Sequence, residues 1–198
     1  MKIFVLLAAA LLASTAHAQF RSIVVVATAG DPRIALVDEA IAYWNRTLEE
    51  SGAAFRLPAP TRADVPIPEK ELQEVSDAVI KRRPIVIPQA LHELPGDLAI
   101  VLAQSPFVSF ASPPYGDGKR VIGIRGKGSW LNLPNVMRNV IAHELGHAVG
   151  LRHNADPTLL MCGRPAPCDP FIYQSDTPRF FSLSDAERAS LRRMYPPP

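Results

Sequence analysis

Residues 143–153 read HELGHAVGLRH and carry three of the chain's five histidines. The run VMRNVIAHELGHAVG that contains their start places Val136, Val140, Ile141, Leu145, Ala148 and Val149 where they can form one apolar face, so the pattern predicts a helix. On that helix His143 and His147 are four residues apart and project side by side. His153 follows six residues later, and roughly 600 degrees of further rotation at 3.6 residues per turn would carry it off their face. Gly150 is placed to prevent this, because glycine enters the left-handed conformation that ends helices at little cost. The stretch therefore demands a helix, a reversal at residue 150 and a return of the third imidazole.

That demand has a chemical reading. Two imidazoles on one cation leave a zinc ion short of a protein ligand, since catalytic sites typically use three and keep the fourth place open. His153 supplies the third. Glu144 stands next to the first ligand, where a carboxylate can take a proton from a zinc-activated water as it attacks a carbonyl and then pass it to the leaving amine. The competing reading has three histidines decorating a helix with Glu144 as a surface charge. It is reasonable for HExxH alone, but HExxHxxGxxH fixes five residues, and average composition makes a chance match on the order of one in ten thousand.

The N-terminus MKIFVLLAAALLASTAHA has one lysine, an apolar run from Ile3 to Ala13 and the ending Ala16-His17-Ala18. This is the pattern of a secretory signal peptide over residues 1–18, with an apolar run too short for a retained span; an uncleaved anchor is the alternative. Residues 19–198 are then one domain. Losing Lys2 takes the formal charge from +2 to +1, which offers no electrostatic attraction for nucleic acid or a membrane surface. Apart from the leader no long apolar segment occurs, so no membrane span is expected after cleavage. A monomer is favoured, with oligomeric state left open. Cys162 and Cys168 are the two cysteines. In an exported chain they are expected to bond to each other, the alternative being two free thiols.

Ser22 to Thr28 is apolar at successive positions, as in a strand covered on both faces. Arg33 to Glu50 repeats Ile34, Val37, Ile41, Trp44 and Leu48 at helical spacing before Gly52. Ala53 to Leu57 reads as a second strand, Pro58 to Pro68 as a proline-rich loop, and Glu69 to Arg83 as a short helix. Its terminal Lys81-Arg82-Arg83 suits a helix end better than a processing site. Further strands are expected at Leu98 to Ala103, Phe107 to Ala111 and Arg120 to Arg125, with a turn at Gly116-Asp117-Gly118. Ser184 and Glu187 form a capping box for a final helix to Met194, with Leu183 as its apolar staple.

The sequence His143-Glu144-x-x-His147-x-x-Gly150-x-x-His153 resembles the zinc-binding consensus of the metzincin metallopeptidases. The following HNADPTLLM is similar to the matrixin branch and makes Met161 the methionine that the resemblance places in a turn beneath the metal. The fold so implied is α+β: a zincin-like single domain with a twisted mixed sheet, a long packing helix, an active-site helix and a C-terminal helix. The implied function is that of an exported zinc endopeptidase acting on protein or peptide substrates, with one catalytic Zn²⁺ on His143, His147 and His153, and Glu144 as general base and later acid. Substrate would pair with an edge strand, for which Phe107 to Ala111 is the leading segment, and a pocket between the active-site helix and residues 162–175 would select side chains. Departures from the family pattern include the absence of a cysteine-switch segment and of a second, structural zinc cluster. His92 stands alone as a surface or capping residue, and Asp117 has too few acidic neighbours to settle a calcium site. A secreted zinc-binding protein that acts by partner binding without proteolysis is the rival, and Glu144, unnecessary for sequestration, argues against it.

Overall fold

The computed structural model describes residues 20–126, 133–163, 168 and 177–198. The leader expected over residues 1–18 lies outside the described residues. Five strands, β1 (Ile23–Ala27), β2 (Pro60–Ala63), β3 (Leu98–Leu102), β4 (Phe110–Ala111) and β5 (Arg120–Ile124), form one sheet in the order β2-β1-β3-β5-β4. The pairs β1/β2, β1/β3 and β3/β5 are parallel, and β4 runs antiparallel to β5 along one edge. Five helices are present among the described residues: α1 (Arg33–Glu50), α2 (Glu69–Ile80), α3 (Gln89–His92), α4 (Pro134–Ala148) and α5 (Asp185–Met194). The expected α+β domain with a mixed sheet is observed.

Strand alternation divides the interior into two layers. Ile23 and Val25, Leu98, Ile100 and Leu102, and Ile122 and Ile124 face α1, α4 and α5. Val24 and Val26, Ala99 and Val101, and Val121 face Leu72 and Val75 of α2 and Leu91 of α3. Both faces are covered, which is why these strands are apolar at consecutive positions. Helix α1 buries Val37, Ile41, Trp44 and Leu48. It meets α4 where the Trp44 indole N–H donates to the Ala142 carbonyl at 2.8 Å, so its largest apolar side chain is buried with its polar atom paired.

Four expectations need correction. Ala53 to Leu57 is not a strand: Leu57 exchanges hydrogen bonds with the Asn45 amide of α1 at 2.7 and 2.9 Å, and Ala54 N–H donates to the Tyr195 carbonyl at 2.9 Å. With those groups satisfied elsewhere, the segment only lends Ala53, Phe55 and Leu57 to the core. The strand in this region is β2, inside the stretch read as a proline-rich loop. It lies on the outer edge and starts at Pro60, where the missing N–H is tolerated. Helix α2 ends at Ile80, and the basic triplet lies beyond it. Arg82 takes a left-handed φ of 51°, while Arg82 and Arg83 N–H close a Schellman cap on Val79 and Ala78. Finally, the edge strand is shorter than expected. Val108 N–H and C=O both bond to the Ser76 hydroxyl of α2, at 3.0 and 2.9 Å, which keeps them out of the ladder.

Candidate metal centre

Helix α4 begins with Pro134, suited to a first-turn position that needs no N–H donor. It ends where the spacing predicts. Gly150 has φ 101°, its N–H donates to His147 C=O at 3.0 Å, and Leu151 N–H donates to Gly146 C=O at 2.9 Å. These two bonds are a Schellman motif, and the reversal they create returns the chain toward the face that carries His143 and His147. His153 Nε2 consequently lies 3.2 Å from His143 Nε2 and 2.9 Å from His147 Nε2. Among the described residues, these three side chains form the cluster that could hold a metal ion, with ligand atoms within 4.8 Å of one another.

The other ring nitrogens decide what the convergence means. His143 Nδ1 lies 2.7 Å from the Leu160 carbonyl oxygen, and His147 Nδ1 lies 2.9 Å from that of Leu151. A carbonyl only accepts, so in these bonds each Nδ1 carries the proton and each Nε2 presents a lone pair. One proton on His153 Nε2 could satisfy one of those lone pairs and leave the other facing a ring nitrogen. A divalent cation satisfies all three at once, and the backbone carbonyls orient the rings for it. The donor set fits zinc. Burial, then the neighbouring His147, pushes the His143 pKa down to about 3; burial likewise lowers those of His147 and His153. The imidazoles are therefore in the neutral, ligating form at pH 7.

Glu144, only 7% exposed, occupies the next position on α4. Burial pushes its carboxyl up to about 8, partly opposed by a hydrogen bond with the Ala111 backbone. Ala111 belongs to β4, so the edge of the sheet and the carboxyl beside the histidines are in direct contact.

Met161 is fully buried and packs against α4 at Gly146, between the two helical histidines in sequence. Cys162 and Cys168 form a disulfide. Of the expected pocket wall, only residues 162, 163 and 168 lie within the described set. His92 is exposed at the end of α3 with its ring against Tyr115, and the Gly116–Gly118 turn carries exposed Asp117. Neither belongs to the histidine cluster.

A link that the sequence reading did not make, between Asn154 and Glu187, holds the segment after His153. Asn154 N–H donates to Met161 C=O at 2.8 Å, and its side-chain amide donates to Glu187 at 2.8 Å. Glu187 also completes the capping box of α5 by accepting from the Ser184 backbone N–H at 2.7 Å. The capping role was readable from Ser184-x-x-Glu187. The link to Asn154 spans 33 residues and has no local pattern.

No family model matches the sequence. Among solved structures, the chain is similar to archaemetzincin from Methanopyrus kandleri, with 17% identity, a TM-score of 0.49, and coverage of 87% of this chain and 94% of that one. The likeness concerns the course of the backbone.

Proposed function

We propose that this chain is an exported zinc endopeptidase of the metzincin type, matrixin-like in its sequence after the third histidine. His143, His147 and His153 would hold the zinc. The observation that carries this reading is the meeting of three imidazole Nε2 atoms, two of them on rings whose Nδ1 is committed to a backbone carbonyl. When bound, the zinc supplies Lewis-acid polarisation of a water and of the scissile carbonyl. Glu144 moves the proton. Its carboxylate, buried at the position after the first histidine, can take a proton from water and release it to the leaving nitrogen. The Ala111 hydrogen bond keeps this carboxyl beside the edge strand, where an extended peptide can add as a further strand. Met161 fills the space under α4 and supports the ligand helix from below. The disulfide accords with export to an oxidising compartment.

Glu144→Ala tests the assignment. The variant should bind zinc as tightly as the parent and lose about 10²- to 10⁴-fold in kcat/KM on an unfolded protein substrate. Chelation should abolish the parent's cleavage. A Glu144→Ala protein that cuts at the parent rate would overturn the mechanism.

A further inference from the structure

We propose that Gly163 is a positioning residue for the metal, because the absence of a side chain there creates the seat of the His153 ring. The proposal rests on the reading of the histidine cluster as a zinc site. A Cβ built on Gly163 would overlap Cγ, Cδ2 and Nδ1 of His153, so the imidazole lies directly on the glycine. The overlap reaches Cγ, the atom nearest the ring's own backbone. A small rotation of the ring about its last bond would not relieve it, and the whole imidazole would have to leave its place.

His153 depends on this seat more than the other ligands do on theirs. His143 and His147 are each tethered through Nδ1 to a carbonyl, whereas among the described residues no carbonyl takes up the Nδ1 of His153. What locates its ring is packing: the other two imidazoles on one side and Gly163 on another. The glycine itself is fixed, since its N–H donates to the Asn154 carbonyl at 3.2 Å while Asn154 N–H donates to Met161 C=O at 2.8 Å. Residues 153–154 and 161–163 are therefore held side by side, with the ring filling the space a side chain at 163 would need.

The requirement for glycine is not a backbone requirement. Gly150 has φ 101°, but Gly163 is not among the positive-φ residues, so alanine is compatible with its conformation. Substitution there should affect the ring and little else.

Gly163→Ala, His153→Ala and the double variant, each compared with the parent as purified full-length mature protein, test the proposal. Zinc affinity would be measured by competition with a chromophoric chelator, apo-protein stability by thermal unfolding, and ring ligation by imidazole ¹H–¹⁵N correlation spectra. Gly163→Ala should bind zinc about ten- to a hundredfold more weakly, the usual consequence of losing support behind a ligand. The His153 nitrogen signals should lose their metal-bound positions while those of His143 and His147 keep theirs. In the His153→Ala background, Gly163→Ala should cost no further affinity, because the ring it displaces is gone. If Gly163→Ala alone fails to fold, the double variant should fold; a double variant that also fails overturns the proposal. So does parent-like zinc affinity in Gly163→Ala, or an equal loss in both backgrounds. His153→Ala separates the two levels of argument: if it binds zinc as tightly as the parent, the metal site itself is misread, whereas a weakened His153→Ala beside a parent-like Gly163→Ala overturns only the role of Gly163.

Discussion

Gly146 and Gly150 stand four residues apart in HELGHAVG and are glycines for different reasons. Gly150 supplies a φ of 101° that ends α4. Gly146 has no such φ; a methyl there would run into the Met161 thioether and come within 3.0 Å of Trp44 Cζ2. It permits α1, α4 and the methionine to close on one another beneath the histidines. Gly146→Ala should raise the helix propensity of α4 yet destabilise the protein by about 1–3 kcal/mol, the usual range for an overpacked core. Urea denaturation would measure the change, and a stability equal to or above the parent's would show that Met161 can move aside freely. Helix termination made Gly150 readable from spacing, while nothing near Gly146 indicates that a methionine fifteen residues later will lie against it.

At the level of elements, the start of α1 is fastened to the sheet by a charged clamp. Arg33 Nε donates to Asp31 at 2.9 Å, and its terminal nitrogens reach the Arg125 carbonyl at 3.0 Å and the Leu102 carbonyl at 3.3 Å. One side chain thus joins α1 to the C-terminal ends of β3 and β5. Burial by itself would raise the pKa of Asp31, but the hydrogen bonds and charge of Arg33 outweigh it and hold the carboxyl below its ordinary 3.8. A carboxyl depressed by folding stabilises the native state above its unfolded pKa and loses that contribution as pH falls through the folded one. Asp31→Asn should therefore be less stable than the parent at pH 7 and lose less stability on acidification below about pH 4. Urea midpoints at pH 7 and pH 3 would measure this, and equal acid losses in the two proteins would remove Asp31 from the account. Helix α5 is tied in differently: Glu187 caps its own helix and accepts from Asn154, so one carboxylate links the C-terminal helix to the residue after the third histidine.

For the whole molecule, the metal reading makes stability depend on zinc. The three ligands come from α4 and from the segment beyond its reversal, so an ion that binds only the folded arrangement adds to folding free energy. Free zinc at a hundredfold excess over Kd should add about 2.7 kcal/mol, which for a domain of this size is roughly 5–10 °C in Tm. Calorimetry with and without a chelator would show it. His153→Ala should lose most of the shift and Glu144→Ala should keep it; a parent Tm indifferent to zinc would argue against ligation. Among the described residues no helix is long and apolar enough to cross a membrane.

The amino-acid order by itself determined what local interactions specify. Apolar spacing marked α1 and α4, the Ser184-x-x-Glu187 pair marked the start of α5, and Gly150 marked the reversal that brings His153 back. Each follows from contacts or torsions within a few residues. Only the tertiary structure decided where backbone polar groups find partners across long separations. Ala53 to Leu57 has a strand's composition, but Asn45 and Tyr195 take up its hydrogen bonds, and β2 forms in a proline-rich stretch because the edge tolerates Pro60. The burial of Glu144 against Ala111, the link from Asn154 to Glu187 and the contact of His153 with Gly163 arise the same way. Each needs distant segments packed together first, and no periodicity within a single segment encodes which distant atom will close the contact.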